Sequence, residues 1–393
     1  MTLRPLWALC GALIVVPLLV LCVAVALAPH TSDFMCFWTG ARFVLDGRDP
    51  YDTVAWTQAM SGRYVDAFGI VRGTFCPGRY GYPLTTAVAF LPLAALPLEV
   101  AAPIWQFLLV TGAAMGTVLI WRALEGPRAW VPYLLLLVFG SQPLWNTATN
   151  AQFGGLLLGA VGIVVYLIAR QRFVAAGAAA VLLLLKPHIF APVVFGTWSR
   201  RTVRLIVAFV VVGLLLLTAS VIAQPAWPQG WLVEIRGNRL EPASQATSVW
   251  TVASWLPGGR VWALVIIALL TAAAVDLARR LPLTAVEAVA ILACLTLVIV
   301  PYSGSHDQML LVPAWAVVLR RSLANDHRAT LASLPLIVLV LPWALYAIRD
   351  VFSGLELSTA VMPLIASLMV VLTLYRAAGM TRLRPVAAAT APR

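Results

Sequence analysis

Residues 31–52 have the sequence TSDFMCFWTGARFVLDGRDPYD and follow directly on a long apolar run. The segment therefore begins where a membrane helix leaves the bilayer, and Asp33, the first acid of the chain, lies at that exit. An ionised carboxylate at a membrane boundary must be solvated or paired, which favours a functional role. Apolar and aromatic residues then recur at helical spacing from Phe34 to Leu45, and this pattern predicts an amphipathic helix on the membrane surface.

The ends of this helix and the segment after it also carry local signals. Ser32 or Asp33 can cap the helix and Gly47 can end it. A turn over residues 48–52 and a second amphipathic helix over residues 52–60 are expected to follow.

The composition is that of a polytopic membrane protein. Of 393 residues, 62% are hydrophobic and only 11% are charged, and the mean hydropathy is +0.92. The net charge of +12 is spread as arginines in short turns between apolar segments, a pattern typical of cytoplasmic turns. Because these arginines form no single patch, we expect no nucleic-acid partner.

The apolar segments predict about 12 membrane spans in one domain over residues 1–380. The first segment, residues 7–28, is longer than the ~7–15 residues of a signal-peptide core and is interpreted as a retained helix. Residues 30–80 and 224–259 are predicted to be outer loops, and residues 381–393 a disordered cytoplasmic tail.

The early topology is ambiguous. If every segment crosses once from an inner N-terminus, the arginines near residues 122–128 and 170–172 fall outside. They move inside if segment 82–97 dips without crossing and segment 173–198 breaks after Lys186. We prefer the version in which both early segments cross, because loop charge is a bias and not a law.

Lys186, the only lysine, follows a long apolar run and is succeeded by Pro187 and His188. A lysine at membrane depth must snorkel, pair or face a cavity, and we favour the cavity. Either Lys186 or His188 could then contact a phosphate.

A second polar stretch places Gln142, Asn146, Asn150 and Gln152 between apolar runs. Interhelical hydrogen bonding suffices for Asn146, whereas Gln152 could contact a sugar.

A third polar stretch places Ser305, His306 and Asp307 at the start of an apolar helix. Helix capping suffices for the serine, but a histidine in a short outer turn could also bind a phosphate. The histidine has only the adjacent Asp307 as a neighbouring ligand, so we expect no metal site, and no cofactor is expected either.

The outer loop 224–259 combines tryptophans, including Trp250, with Arg236 and Arg239. Tryptophans usually anchor at the membrane interface, but their flat faces also pack on sugar rings. The sequence contains no nucleotide-binding motif, which favours a lipid-borne sugar donor.

These stretches together resemble the membrane glycosyltransferases of family 87, a polyprenol-phosphate-mannose-dependent branch of the GT-C fold. The resemblance covers most of the chain and rests on the order of its motifs. They begin with Asp33 and the G-x-D-P-Y pattern, and the matching residues are Asp33, Gly47, Asp49, Pro50, Tyr51, Tyr80, Tyr82, Pro83, Leu84, Gln152, Lys186, Ser305 and His306. The chain departs from the pattern at Ala151, where the family has glycine, and in having a single proline after Tyr82.

The resemblance implies an all-α polytopic GT-C-like enzyme that transfers a hexose, mannose first, from a polyprenyl phosphate to a lipid-linked or glycan acceptor. It implies Asp33 as the general base of an inverting reaction on the extracytoplasmic side of the cell membrane. Two sets of binding residues are expected. Those for the donor phosphate are Lys186, His306, Arg236 and Arg239, and those for the substrates are Tyr51, Tyr82, Gln152, His188 and Trp250.

Two alternatives stay open at this point. A transporter or lipid flippase would also have charged residues at membrane depth, although the long first loop has no counterpart in the second half. A non-catalytic membrane scaffold is the third possibility. A disulfide between Cys36 and Cys76 is equally open, because sequence does not show how far apart the two residues lie.

Overall fold

The computed structural model describes residues 4–29, 32–61, 80–186, 203–238, 248–300, 303–348 and 356–387. Across these ranges the chain is all-helical, as predicted. The helices are α1 (Arg4–Leu27), α2 (Phe34–Leu45), α3 (Thr53–Met60), α4 (Leu84–Ala94), α5 (Leu98–Ala123), α6 (Val131–Phe139), α7 (Gln142–Asn150), α8 (Gly154–Ala169), α9 (Phe173–Ala180), α10 (Val203–Ala223), α11 (Trp227–Asn238), α12 (Val249–Ser254), α13 (Gly259–Arg280), α14 (Ala285–Ile299), α15 (Val312–Ala324), α16 (Arg328–Pro335), α17 (Leu341–Ala347) and α18 (Ser358–Ala387). Short 3-10 turns precede α6, follow α9 over Val181–Leu185 and precede α15 over Ser305–Leu311, and a π turn joins α16 to α17.

Five helices of the described ranges are long and apolar enough to cross a membrane, or six if the bent pair α7–α8 is one span. They are α5, α10, α13 as far as Leu277, the continuous stretch Arg328–Ala347, and α18 as far as Arg376. The chain is therefore a multi-pass membrane protein.

The structure does not confirm the expected count of about 12 spans, because several predicted spans form shorter helices. The helix α4 has 11 residues, so it extends ~16 Å, about half the ~30 Å hydrocarbon thickness. The preferred version in which both early segments cross is thus not confirmed either. The α-helix that begins at Phe173 ends at Ala180 and is followed by the 3-10 turn Val181–Leu185.

Small residues bring α5 and α8 into close backbone contact. A Cβ atom on Gly112 would lie 2.9 Å from the carbonyl oxygen of Gly155. One on Gly162 would lie 2.5 Å from the Cα atom of Gly116. Backbones approach this closely only where side chains are absent, as in the small-residue interfaces of membrane helices. The pair α5–α8 therefore forms a fixed frame for the chain that leads into α8.

The helix α2 is largely buried in the protein and its aromatic face packs against other helices, whereas its position on the membrane surface stays a prediction. Its Phe37 ring lies 4.2 Å, centroid to centroid, from Phe153, and Phe34 stacks on Trp105 at 5.8 Å. Gly40 leaves room for the ring of Tyr80. The aromatic face that suggested an interfacial helix packs against α4, α5 and the start of α8.

The predicted end of α2 at Gly47 is confirmed, whereas the predicted side-chain cap at its start is not formed by Asp33. Gly47 adopts a φ of +68° just after α2, and the Arg48 N–H donates to the Phe43 carbonyl at 2.8 Å, which ends the helix as glycine commonly does. The Asp52 carboxylate caps α3 by accepting from the N–H of Val54 at 2.9 Å.

The last helix, α18, continues to Ala387. It therefore extends into the segment from residue 381 that the sequence predicts as a disordered tail, and residues 388–393 lie outside the described ranges.

Candidate active site

Asp33 stands at the N-terminus of α2 and is half-buried. Its side chain does not cap the helix. It accepts a hydrogen bond from Nε2 of Gln152 instead. Its backbone N–H donates to the carbonyl oxygen of Asn150 at 3.0 Å. The carboxylate is thus held against the junction of α7 and α8, and Gln152 binds Asp33 where the sequence suggested a sugar contact.

That junction is a sharp bend of 119° between α7 and α8. Ala151 makes the bend with a φ of +51°, the left-handed region that normally favours glycine. Indole Nε1 of Trp105 donates to the Ala151 carbonyl at 2.8 Å, and Nε2 of Gln106 donates to the Ala148 carbonyl at 2.9 Å. Both donors belong to α5, so the frame helix fixes the residue before Gln152.

The predicted phosphate-binding residues Lys186 and His306 lie together. Lys186 Nζ is 3.1 Å from Nε2 of His306 and donates to Oδ1 of Asp307 at 2.6 Å. The three residues are buried, with 7%, 8% and 1% of their surfaces exposed. A lysine at this depth is paired, as its cost in an apolar environment requires.

Asp307 was left without a role of its own by the sequence reasoning. Besides Lys186, its carboxylate accepts from the Gly304 N–H at 3.2 Å, which ties it to the turn before the 3-10 helix. The available signal was an acid at membrane depth in a chain with a single lysine.

Amide side chains of α7 connect the two halves of the site. Ser305 Oγ accepts from Asn146 Nδ2 and from Gln142 Nε2 at 3.2 Å. Asn150 Nδ2 in turn donates to Asn146 Oδ1 at 2.6 Å. Because Asn150 also accepts the Asp33 N–H, a continuous polar path leads from Asp33 to the turn that carries His306.

Glu356 is a second carboxylate that sequence reasoning missed. Its Oε2 accepts from the Ser305 N–H at 3.0 Å, although 51 residues separate the two. No local pattern marks this glutamate, because its partner belongs to a different loop.

Within the described ranges, no group of three or more His, Cys, Asp or Glu residues is placed to hold a metal ion. The candidate site consists of a half-buried carboxylate, a buried lysine–aspartate–histidine cluster and the amides between them.

The family model described as Glycosyltransferase family 87 matches residues 80–301, more than half of the chain. The chain belongs to glycosyltransferase family 87. No curated protein and no solved structure matches it. The matched region contains Gln152 and Lys186, whereas Asp33 and His306 lie outside it. Family membership confirms the expectation of a membrane glycosyltransferase rather than a transporter or a scaffold, and such an enzyme needs a sugar donor and an acceptor.

Two residues predicted to bind the substrates of this glycosyltransferase, Tyr51 and Tyr82, are joined by a hydrogen bond. Tyr51 is buried and donates from its hydroxyl to the Tyr82 carbonyl at 2.6 Å. Burial, together with the Asp49 and Glu234 carboxylates, raises the pKa of Tyr51 above its ordinary value, so the phenol stays protonated and keeps donating. Tyr82 is half-buried, and its ring meets that of Phe37 edge-on at 5.0 Å.

Of the four remaining predicted site residues of the family 87 enzyme, the structure describes Trp250 and Arg236. Trp250 is half-buried and donates from Nε1 to the Ile299 carbonyl at 2.7 Å. Arg236 is exposed on α11, and in the described structure it shares no hydrogen bond or ion pair with Lys186 or His306. Arg239 and His188 lie outside the described residues.

Cys36 of the enzyme, on α2, is disulfide-bonded. Cys76, the partner that the sequence suggests, lies outside the described residues. Cys22 and Cys294 are free and buried.

Proposed function

We propose that this family 87 enzyme transfers a hexose, with mannose as the first candidate, from a polyprenyl phosphate to a hydroxyl of a lipid-linked or glycan acceptor. One observation supports this most strongly. A half-buried carboxylate, Asp33, is joined through α7 amides to a buried cluster that contains the lysine and a histidine. A base and a site for a leaving anion are what the transfer requires.

Asp33 is the general base in this proposal. It removes the proton from the acceptor hydroxyl, whose oxygen then forms a bond to the anomeric carbon. The bond from that carbon to the donor phosphate breaks, and its electron pair leaves with the phosphate oxygen. A single displacement from the face opposite the phosphate inverts the anomeric configuration. Gln152 acts by keeping the carboxylate in place.

The cluster of Lys186 and His306 is the proposed site for the leaving phosphate. Negative charge grows on that phosphate as the glycosidic bond breaks, so preorganised N–H donors lower the barrier. A water-poor, buried setting strengthens such interactions, and both side chains are at least 90% buried.

An apolar cavity favours a lipid-borne donor. It has a volume of about 300 Å³ and lies between α4, α10 and the 3-10 turn Val181–Leu185, which leads directly into Lys186. Aliphatic side chains dominate its lining, among them Leu184, Leu185, Val212 and Leu215. An isoprenoid chain attached to a phosphate at Lys186 would find an apolar path there.

We place the site on the extracytoplasmic side of the cell membrane. The disulfide at Cys36 supports this, because it lies three residues after Asp33 and disulfides persist in oxidising compartments.

The test is Asp33→Asn, whose amide keeps the shape of the side chain but cannot take a proton. Membranes that contain the full chain are incubated with polyprenyl-phosphate mannose carrying a labelled sugar, together with the lipids of the native membrane. We expect wild-type protein to label a product and Asp33→Asn to lose transfer on the order of 10²-fold or more at unchanged abundance. Near-normal transfer by the variant would remove Asp33 from the mechanism.

A further inference from the structure

We propose that the acceptor carries a sugar residue, and that this sugar binds against one face of α11 through Trp231 and Glu234. The inference rests on the proposed function and narrows its acceptor to a glycan or the headgroup of a glycolipid. Trp231 and Glu234 then determine which acceptor binds, whereas Asp33 acts on the reacting hydroxyl.

The helix α11 has two faces of different composition. One face, which we call the inner face, is made by residues one turn apart along the helix, namely Trp227, Gly230, Trp231 and Glu234. All four are buried or half-buried. On the opposite face, Leu232 and Val233 are 46% and 53% exposed. The helix therefore turns aliphatic side chains outward and its aromatic and acidic side chains toward the protein.

This orientation argues against membrane anchoring as the main role of these tryptophans. An anchoring indole lies at the membrane interface and contacts headgroups. Trp227 is instead packed into the protein, with 6% of its surface exposed, and Glu234 is exposed to only 5%. A carboxylate is costly to bury and needs hydrogen-bond donors around it. The inner face thus combines aromatic surface with a buried hydrogen-bond acceptor.

The inner face lies directly against Tyr51. A Cβ atom on Gly230 would be 2.8 Å from Cβ of Tyr51, so the backbone of α11 is in contact with this residue. Burial, followed by the carboxylates of Asp49 and Glu234, raises the pKa of Tyr51, as expected for a phenol near acidic groups. Glu234 and Tyr51 therefore belong to the same region of the protein.

A series of contacts connects Tyr51 to the proposed base. The Tyr51 hydroxyl donates to the Tyr82 carbonyl at 2.6 Å, and the Tyr82 ring lies 5.7 Å, centroid to centroid, from the ring of Phe153. Phe153 follows Gln152, whose amide donates to the Asp33 carboxylate. Residues in mutual contact thus link the inner face of α11 to the place where an acceptor hydroxyl must meet the base.

The side chains of the inner face suit a sugar. The rings of Trp227 and Trp231 lie 6.1 Å apart with their planes inclined by 45°. The C–H face of a sugar ring is apolar and packs on flat aromatic surface, while its hydroxyls donate to a carboxylate. A carboxylate has about four acceptor sites, so Glu234 can accept from a sugar hydroxyl in addition to its contacts within the protein.

The indole N–H of Trp227 gives independent support for a polar ligand. Within the described ranges its Nε1 is buried and has no hydrogen-bond partner. Buried indole N–H groups usually have one. An acceptor that the chain itself does not supply would explain this donor, and a sugar hydroxyl is such an acceptor.

The experiment compares Trp231→Leu, Trp231→Phe and Glu234→Gln with wild type in the full chain. Transfer from polyprenyl-phosphate mannose is measured at saturating donor over increasing amounts of a lipid extract of the native membrane, and then with the donor varied. Thermal unfolding is measured in detergent. Trp255→Leu is the matched control, because Trp255 is 64% exposed in the loop after α12 and has the environment of an anchoring tryptophan.

We expect Trp231→Leu to raise the KM for the acceptor extract about threefold to tenfold, as for the loss of one aromatic contact. Glu234→Gln should raise it about threefold or more, because a charged acceptor is replaced by a neutral one. The donor KM should stay within about twofold of wild type in both variants. Trp231→Phe keeps an aromatic face and should stay closer to wild type than Trp231→Leu, which separates binding from loss of folding.

The class of acceptor is tested on the extract itself. Periodate cleaves the bonds between carbons that carry neighbouring hydroxyls, as in sugar rings. An extract treated with periodate and then freed of it should no longer accept mannose from the wild-type enzyme. Undiminished transfer to the treated extract would overturn the inference, because the acceptor would then need no intact sugar.

The kinetic results can also overturn the inference. An unchanged acceptor KM in Trp231→Leu and Glu234→Gln would remove the inner face from acceptor binding. An equal rise in Trp255→Leu would make the tryptophans membrane anchors, and a rise in donor KM alone would assign α11 to the donor. A wild-type protein that transfers no mannose would instead overturn the proposed function, and with it this inference.

Discussion

A substitution at the contact between α5 and α8 tests directly whether this helix pair controls the position of the site residues. In Gly162→Ala, the new Cβ would lie 2.5 Å from Cα and 2.6 Å from the carbonyl oxygen of Gly116. Carbon atoms in contact normally stay about 3.5–4.0 Å apart, so the helices must separate by about 1 Å. Both obstructing atoms belong to the backbone, and no rotamer change can relieve the overlap.

The sign of the change in the free energy of unfolding follows from two opposing contributions. Alanine gains about 0.8–1.0 kcal/mol over glycine in a helix interior. Overpacking of a close interface costs about 1–3 kcal/mol. We expect Gly162→Ala to lose stability by up to about 2 kcal/mol.

Activity should fall as well, because Gln152 lies two residues before the start of α8. A misplacement of about 1 Å near a reacting centre can cost 10²-fold in rate. Since Gly162 is farther along the helix, we expect a smaller loss, about tenfold.

Gly213→Ala is the matched control. Gly213 lies in α10, and the nearest atom to its added Cβ would be a side-chain carbon of Leu184 at 3.7 Å, an ordinary contact. The same substitution should therefore leave the protein equally or more stable and fully active. Thermal unfolding in detergent and the mannose-transfer assay measure both variants. Equal unfolding temperatures for Gly162→Ala and Gly213→Ala would refute the argument from close backbone contact.

Three further predictions concern the bend, the base and the topology. Ala151→Gly should raise the unfolding temperature slightly, because relief of about 1–2 kcal/mol of left-handed strain exceeds the about 0.4–1 kcal/mol of unfolded-chain entropy that glycine adds; a lower temperature would contradict the strain. Gln152→Leu should reduce kcat by at least tenfold with little change in stability, because the Asp33 carboxylate loses the hydrogen bond that holds it against the α7–α8 junction. Unchanged kcat would show that Gln152 does not position the base. A cysteine introduced at exposed Val54 should react with an impermeant thiol reagent in intact cells. A cysteine introduced at exposed Arg328 should react only after lysis. The reverse pattern would invert the proposed orientation of the chain in the membrane.

Several local features followed from the sequence because their causes are local. The apolar segments marked a multi-pass helical protein, since a membrane requires long runs of apolar residues. Gly47 marked the end of α2, because a left-handed turn after a helix selects glycine at that position. Asp33 and Lys186 were recognised because a charge at a membrane boundary or at membrane depth needs a partner or solvent, and His306 because a histidine in a short outer turn can bind a phosphate.

The partners of those residues were decided by tertiary structure. Lys186 meets Asp307 across 121 positions of sequence, and Gln152 meets Asp33 across 119. Helical periodicity showed that α2 has an aromatic face but not whether lipid or protein covers it, and the structure covers it with α4, α5 and Phe153. A local pattern in the sequence indicates that a polar side chain needs a partner, whereas the packing of helices that are distant in sequence determines which atom is that partner.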